Sequence, residues 1–204
     1  MKLIFLGPPG SGKGTQAKML AKALGIAHIS MGDILREAIK NGTEVGSLAK
    51  QYLSRGALVP DEVVNEIARQ AIEKHKEKGF VLDGYPRTVK QGEFVNGITG
   101  IDKVIYIDVP KDEIVKRLAG RLSCRKCGAV YHAMGNPPKK AGVCDVCGSE
   151  LYTRDDDREE TIKARFEVYE KETEPLVKFY GAKVSKIDGL GDLARVENKI
   201  RSSL

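Results

Sequence analysis

Outside residues 124–147 this chain has no cysteine, and its 204 residues hold four in all. A disulfide framework spread along the chain is thereby excluded. No apolar run approaches the roughly 18 residues that a membrane-spanning helix needs, so no membrane partner is expected. The N-terminal "MKLIFLGPPG" has a short apolar run ending in glycine and proline, without a small-residue cleavage site. It reads as a buried strand and not an export signal, which places the protein in the cytoplasm. Internal repeats and low-complexity tracts are absent too, which sets aside solenoid arrays and tethers. Nor does any long exposed apolar stripe ask for a partner, so a monomer is expected.

What the chain does contain points to a folded protein. Hydrophobic residues make up 41% and charged residues 30%, and the length suits one core of moderate size with small appended subdomains. The formal charge of +6 favours anionic partners, among which charge alone does not choose.

Apolar, β-rich runs recur at Leu3 to Leu6, Phe80 to Leu82, Val104 to Val109 and Ala182 to Ile187, with Ala27 to Ser30 a weaker fifth. They are short, nearly continuous and separated by helical patterns, as in a parallel sheet buried on both faces. Ala17, Leu20, Ala21 and Leu24 share one helical face that stops at Gly25. Asp61, after Pro60, is expected to cap a helix carrying Val64, Ile67, Ala68 and Ile72. Asp157 with Glu160 suggests a capping box for a long helix toward Tyr180, kinked or broken at Pro175 and ended at Gly181. The alternation predicts an α/β fold with a five-stranded parallel sheet flanked by helices. Residues 1–30, 60–120 and 158–204 would form the core. Residues 31–59 and 121–157 fall outside the alternation, as a short helical insert and a loop-rich excursion.

That second excursion carries every cysteine, as C-x2-C, sixteen residues, then C-x2-C: Cys124, Cys127, Cys144 and Cys147. This spacing reads as a tetrahedral four-cysteine zinc site, with disulfides or unmetallated core cysteines as the alternatives. "GPPGSGKGT", between the first strand and the first helix, is a glycine-rich phosphate loop. Backbone N–H groups of Gly10, Ser11, Gly12 and Gly14 can wrap a phosphate at a helix N-terminus, with Lys13 reaching the β- and γ-phosphates. The usual motif puts a hydroxyl directly after the lysine, whereas here Gly14 intervenes and the hydroxyl arrives at Thr15. Asp83 ends a buried strand, where parallel sheets bind ligands, and suits Mg2+ held through water; a plain turn aspartate before Gly84 is the alternative. Arg36, Arg87, Arg121, Arg154 and Arg165 lie near predicted junctions or inserts. Each alone suits a solvated surface, but beside a phosphate loop they suit charge neutralisation in phosphoryl transfer.

"GPPGSGKGTQ", "GDILR", "DGYPRTVKQ", the "GR" before the cysteines and "TRDDDREETIKARFEVY" resemble, in order, the signatures of the adenylate kinase family in its long-lid bacterial form. The resemblance spans essentially the whole chain. It implies a P-loop core, a monophosphate-binding insert at 31–59, and a zinc-binding lid at 121–157. It implies reversible Mg2+-dependent transfer between ATP and AMP, with Lys13 and its loop on the ATP phosphates and Arg36 and Arg87 on the AMP phosphate. Arg121, Arg154 and Arg165 would clamp the transferring group, and Asp156 and Asp157 resemble lid-hinge aspartates. Arg117 and His132 resemble residues flanking the ATP adenine, although His132 also suits the lid core. Gln91 and the backbone near Val59 resemble the AMP adenine contacts, and Gly84 joins the nucleotide-binding set.

One departure stands out. Where the family usually reads "STGD" this chain has "SMGD", so Met31 replaces a threonine beside the AMP base. A hydroxyl is exchanged for a flexible apolar surface, which keeps a UMP- or CMP-preferring kinase open as an alternative. A rival of another class is a zinc ribbon that binds nucleic acid. It would interleave basic and aromatic residues, yet between the cysteine pairs there are only Lys139, Lys140 and Tyr131. No nucleic-acid partner is therefore expected.

Overall fold

The computed structural model describes residues 1–204. Its centre is a five-stranded, all-parallel sheet of β1 (Lys2–Leu6), β2 (Ala27–Ser30), β3 (Phe80–Asp83), β4 (Lys103–Asp108) and β8 (Val184–Asp188), in the order β2-β3-β1-β4-β8. Because side chains alternate across a strand, β1 supplies both faces. Ile4 and Leu6 enter one core, and Leu3 and Phe5 enter the other. The first core is closed by α2 (Met31–Lys40), α3 (Glu44–Leu53), α4 (Asp61–His75), α5 (Val89–Ile98) and α8 (Pro175–Tyr180). The second is closed by α1 (Lys13–Leu24), α6 (Lys111–Ala119), α7 (Glu159–Val168) and α9 (Leu193–Ser202). No helix is long and apolar enough to cross a membrane.

The C-terminal edge of β1, β2 and β3 feeds the loops that build the site, as parallel sheets generally arrange. Residues 31–59 contribute α2 and α3. A separate antiparallel sheet, in the order β6-β5-β7, is formed by β5 (Arg121–Cys124), β6 (Val130–His132) and β7 (Leu151–Tyr152).

Two helix starts differ from the sequence expectation. Pro60 occupies the N-cap of α4 and Asp61 is the first helical residue; its carboxylate receives Gln91 Nε2 at 2.6 Å instead of capping. Arg158 is the N-cap of α7, without a side-chain cap, and Asp157 sits in the preceding 3-10 turn. Asp157 is buried because Arg121 and Arg165 pair with it. In both cases an ionised or amide partner from a distant element outcompetes a local backbone N–H. The helix toward Tyr180 breaks as expected at Pro175. A π turn at Tyr169–Thr173 precedes it, and Pro175 starts α8 where its missing N–H costs nothing.

Candidate active site

The loop between β1 and α1 turns tightly. Gly10 has φ 85°, and a Cβ there would meet Ile114 and Leu118 side-chain carbons within 2.9 Å, so only glycine fits this bend. Gly14 explains the displaced hydroxyl of the motif in packing terms. A Cβ on it would lie 3.1 Å from Asp83 Oδ2, so glycine lets the carboxylate at the end of β3 approach the phosphate loop. Asp83 is buried and faces His28 Nε2 at 3.4 Å. Burial alone would raise its pKa, but the adjacent His28 imidazole and the Lys13 charge prevail and hold it below the ordinary value.

Lys13 opens α1, and its Nζ donates to the Pro8 carbonyl at 3.2 Å. Burial, opposed by Asp83 but reinforced by Arg87, Arg165 and Arg121, pulls its pKa down to about 7. The arginines crowd the same space. Burial is the main cause that lowers Arg87 and Arg154 to about 10, with neighbouring guanidiniums adding repulsion. Asp156 and Asp157 offset part of this charge. Arg165 Nη1 lies 2.8 Å from Asp156 Oδ2 and 3.2 Å from Asp157 Oδ1, and Arg121 Nε donates to Asp157 Oδ2 at 2.7 Å. Arg154 Nε donates to the Ser123 hydroxyl at 2.8 Å, and Arg36 pairs with Asp33 at 2.5 Å. Lys13, Arg36, Arg87, Arg121, Arg154 and Arg165 outnumber the carboxylates of Asp33, Asp83, Asp156 and Asp157. The surplus suits a polyanion.

Lys13, the five arginines, Asp33, Asp83 and Asp156 line one cavity of about 840 Å³, while Asp157 is buried behind it on Arg121 and Arg165. Gly10, Ser11, Gly12, Gly14, Thr15 and Gly84 line it as well. At one end Met31, Val59 and Gln91 form a largely apolar pocket, each at most 4% exposed. Toward the other end stand Arg117 and His132. Arg117 Nη2 donates to Gly189 O at 3.1 Å and its Nε to Glu113 at 3.0 Å. His132 Nδ1 accepts from Gly135 N–H at 2.9 Å, and its Nε2 lies 3.2 Å from Lys116 O. The structure thus brings the motif residues of the sequence together, apart from Asp157 and the four cysteines, which do not line the cavity.

The cysteines gather elsewhere, with all four Sγ atoms within 4.8 Å of one another. Cys124 and Cys147 are 3.4 Å apart, as are Cys127 and Cys144 at 3.5 Å, which is contact between free thiols and not a disulfide. The two turns repeat each other. Gly128 N–H donates to Cys124 O at 3.1 Å, and Gly148 N–H to Cys144 O at 2.8 Å. A set of four thiols at this spacing is compatible with a metal site.

Sequence reasoning passed over His28 and the tie between Asp61 and Gln91. His28 lies on β2, whose register sets Ser30 beside Asp83, so a histidine two residues earlier was a findable neighbour only once the two strands were paired. Asp61 read locally as a cap, and its tie to Gln91 spans 30 positions.

The family model for adenylate kinase matches residues 5–185. The chain is 53% identical to an adenylate kinase of Caldicellulosiruptor bescii over 189 residues, covering 90% of this chain and 88% of that one. It is 50% identical to an adenylate kinase of Archaeoglobus fulgidus over 212 aligned positions, covering 100% of this chain and 98% of that one. A Geobacillus adenylate kinase gives the same identity and the same coverage. Phosphate loop, arginine cluster and sheet order thus coincide with likeness along the whole length, and the chain belongs to the adenylate kinase family.

Proposed function

We propose that this chain catalyses reversible, Mg2+-dependent phosphoryl transfer between ATP and AMP, giving two ADP. The observation that carries this reading is one cavity lined together by the phosphate loop, the arginines, Met31 and Gln91. Residues 31–59 then act as the monophosphate-binding insert and residues 121–157 as a lid over ATP.

No side chain has to act as general base. The AMP phosphate oxygen is already an anion and attacks the γ-phosphorus in line, as ADP leaves with the electron pair of the broken P–O bond. Lys13 and the loop N–H groups hold the ATP phosphates. Arg36 and Arg87 hold the AMP phosphate, and Arg121, Arg154 and Arg165 neutralise charge on the migrating group. Asp83, kept ionised, and Thr15 offer the hard oxygens that Mg2+ takes and would hold it. When bound, the ion neutralises charge on the β- and γ-phosphates. Lid closure excludes water, which would otherwise compete with AMP as the nucleophile. The four cysteines would hold one Zn2+ away from these steps.

The test is a coupled assay of purified protein with ATP and each of AMP, GMP, UMP and CMP. AMP is expected to be the strongly preferred acceptor, and a preference for CMP or UMP overturns the substrate assignment.

Met31 bears on that preference. It is 3% exposed and packs with Leu35, Val59 and Val64, so it offers the base surface and no hydrogen bond. Met31→Thr is therefore expected to change the AMP-to-CMP ratio of kcat/KM by about tenfold or less, the reach of one solvent-compensated hydrogen bond. A larger change would mean that this position dominates base selection.

The depressed pKa of Lys13 gives a second expectation. Phosphates beside the ammonium favour its charged form, so ATP binding should raise the pKa from about 7. At pH 8 the empty site is mostly unprotonated at Lys13, and ATP binding draws in a proton; at pH 6 the proton is already there. Calorimetry in buffers of different ionisation enthalpy should show uptake at pH 8 and much less in Lys13→Met. Uptake that is absent at pH 8, or unchanged in the variant, contradicts the assignment of this lysine to the phosphates.

A further inference from the structure

Gln91 is 2% exposed, and its side-chain amide is held at both ends. The Oε1 atom accepts from the Arg87 backbone N–H at 2.6 Å, and Nε2 donates to Asp61 Oδ1 at 2.6 Å. These partners admit one orientation. A backbone N–H only donates and an ionised carboxylate only accepts, so the amide oxygen must face Arg87 and the amide nitrogen Asp61. The other carboxylate oxygen of Asp61 receives the Thr88 hydroxyl at 3.4 Å, and Thr88 caps α5 by accepting from Gln91 N–H at 3.1 Å. Gln91 lines the nucleotide cavity and Asp61 does not.

We propose that Asp61 is a positioning residue for base selection: by locking the Gln91 amide, it makes the monophosphate site take a 6-amino purine and refuse a 6-oxo purine. The proposal rests on the reading of Gln91 as a base contact. Each end of the amide spends one of its two bonding capacities on the protein, which leaves one lone pair on Oε1 and one N–H on Nε2. An acceptor beside a donor matches the adenine edge, where the 6-amino group donates and N1 accepts. Hypoxanthine and guanine reverse both groups, since O6 accepts and N1–H donates. To meet them Gln91 would have to turn over. Its oxygen would then face the Asp61 carboxylate and its NH2 would face the Arg87 N–H. Two short hydrogen bonds would be replaced by two like-signed contacts in a buried place, and unpaired buried polar groups are the strongest means of rejecting a near-isosteric substrate.

AMP and IMP are the probe pair, because they differ only at position 6 and in the N1 proton. Asp61→Asn keeps the size of the side chain but offers either a donor or an acceptor to Gln91, which removes one of the two like-signed contacts that oppose the turned amide. The kcat/KM ratio of AMP over IMP is expected to fall by at least about tenfold, chiefly through KM for the monophosphate, with KM for ATP unchanged. Mere loosening of the fold would reduce both substrates alike and leave the ratio where it was. Asp61→Ala, which removes the acceptor, is the second variant if Asp61→Asn does not fold, and it should shift the ratio the same way. Gln91→Ala separates the two levels of the argument. If it collapses the ratio while a folded Asp61 variant preserves it, Asp61 does not orient the amide and the proposal is wrong. If Gln91→Ala itself leaves the ratio intact, Gln91 does not read the base, and the proposal falls with that reading.

Discussion

Lys13→Met is expected to lower turnover by at least about a hundredfold, the loss typical of one oriented electrostatic contact with a developing charge. Methionine keeps much of the stem, so the loop around Gly10 and Gly12 should keep its shape. What disappears is the ammonium that, on the proposed mechanism, follows the migrating phosphoryl group. The fold should not suffer. In the empty site the Lys13 charge is disfavoured by burial and by Arg87, Arg165 and Arg121, with only Asp83 opposing them. Removing it relieves that cost, so the melting temperature should stay level or rise below pH 7, where the lysine is charged in folded and unfolded chains alike. Above about pH 7 the folded chain sheds this proton and the unfolded one keeps it, so the benefit shrinks as pH rises. Steady-state kinetics and calorimetry on the same preparation separate the two effects. A folded variant with near-normal turnover would remove Lys13 from the reaction.

Much of this site was readable in the chain because it is written in contiguous motifs. The phosphate loop, Asp83 at a strand end and Arg87 four residues later are local features, and a continuous apolar run marks each strand buried on both faces. β2 was the faint one, since it is a sheet edge whose Ala27 and His28 are only half-buried. β8 begins at Val184 and not at Ala182, because a short 3-10 turn at Gly181–Lys183 absorbs the preceding residues. The strands around the cysteines, of two to four residues, are too short to show a period. Side-chain pairings between distant elements were hidden altogether. Asp61 and Asp157 both looked like helix caps, and both are spent on partners that only the folded chain supplies: Gln91 for the first, Arg121 and Arg165 for the second.

Removing metal from the four-cysteine site is expected to destabilise the protein without abolishing its chemistry. Tetrahedral sulfurs on Zn–S bonds of about 2.3 Å stand roughly 3.8 Å apart, close to the 3.4 and 3.5 Å between the paired cysteines here. Four thiolates complete such a shell and leave no position for water or substrate, and none of the four lines the nucleotide cavity. The metal would therefore hold structure. The unit has little else to hold it, since its own buried cluster is only Cys124, Tyr131, Cys144 and Leu151. A core of that size cannot stabilise some 37 residues by burial, whereas zinc can contribute about 10 kcal/mol or more to local folding at neutral pH. Arg121 and Arg154 flank the cysteines within this unit, so on the proposed roles a coherent piece would deliver both to the phosphates together. Purified protein should carry about one zinc per chain. Chelation should lower the melting temperature by about 10 °C or more, at a few degrees per kcal/mol for a chain of this length. Well below that melting point the stripped protein should keep a substantial fraction of its turnover, because none of the four cysteines lines the cavity and the proposed phosphate contacts of Arg121 and Arg154 do not run through the metal. Elemental analysis that finds no metal in carefully purified protein would refute the zinc assignment. Complete loss of turnover in folded, metal-free protein at low temperature would instead assign the metal a part in catalysis.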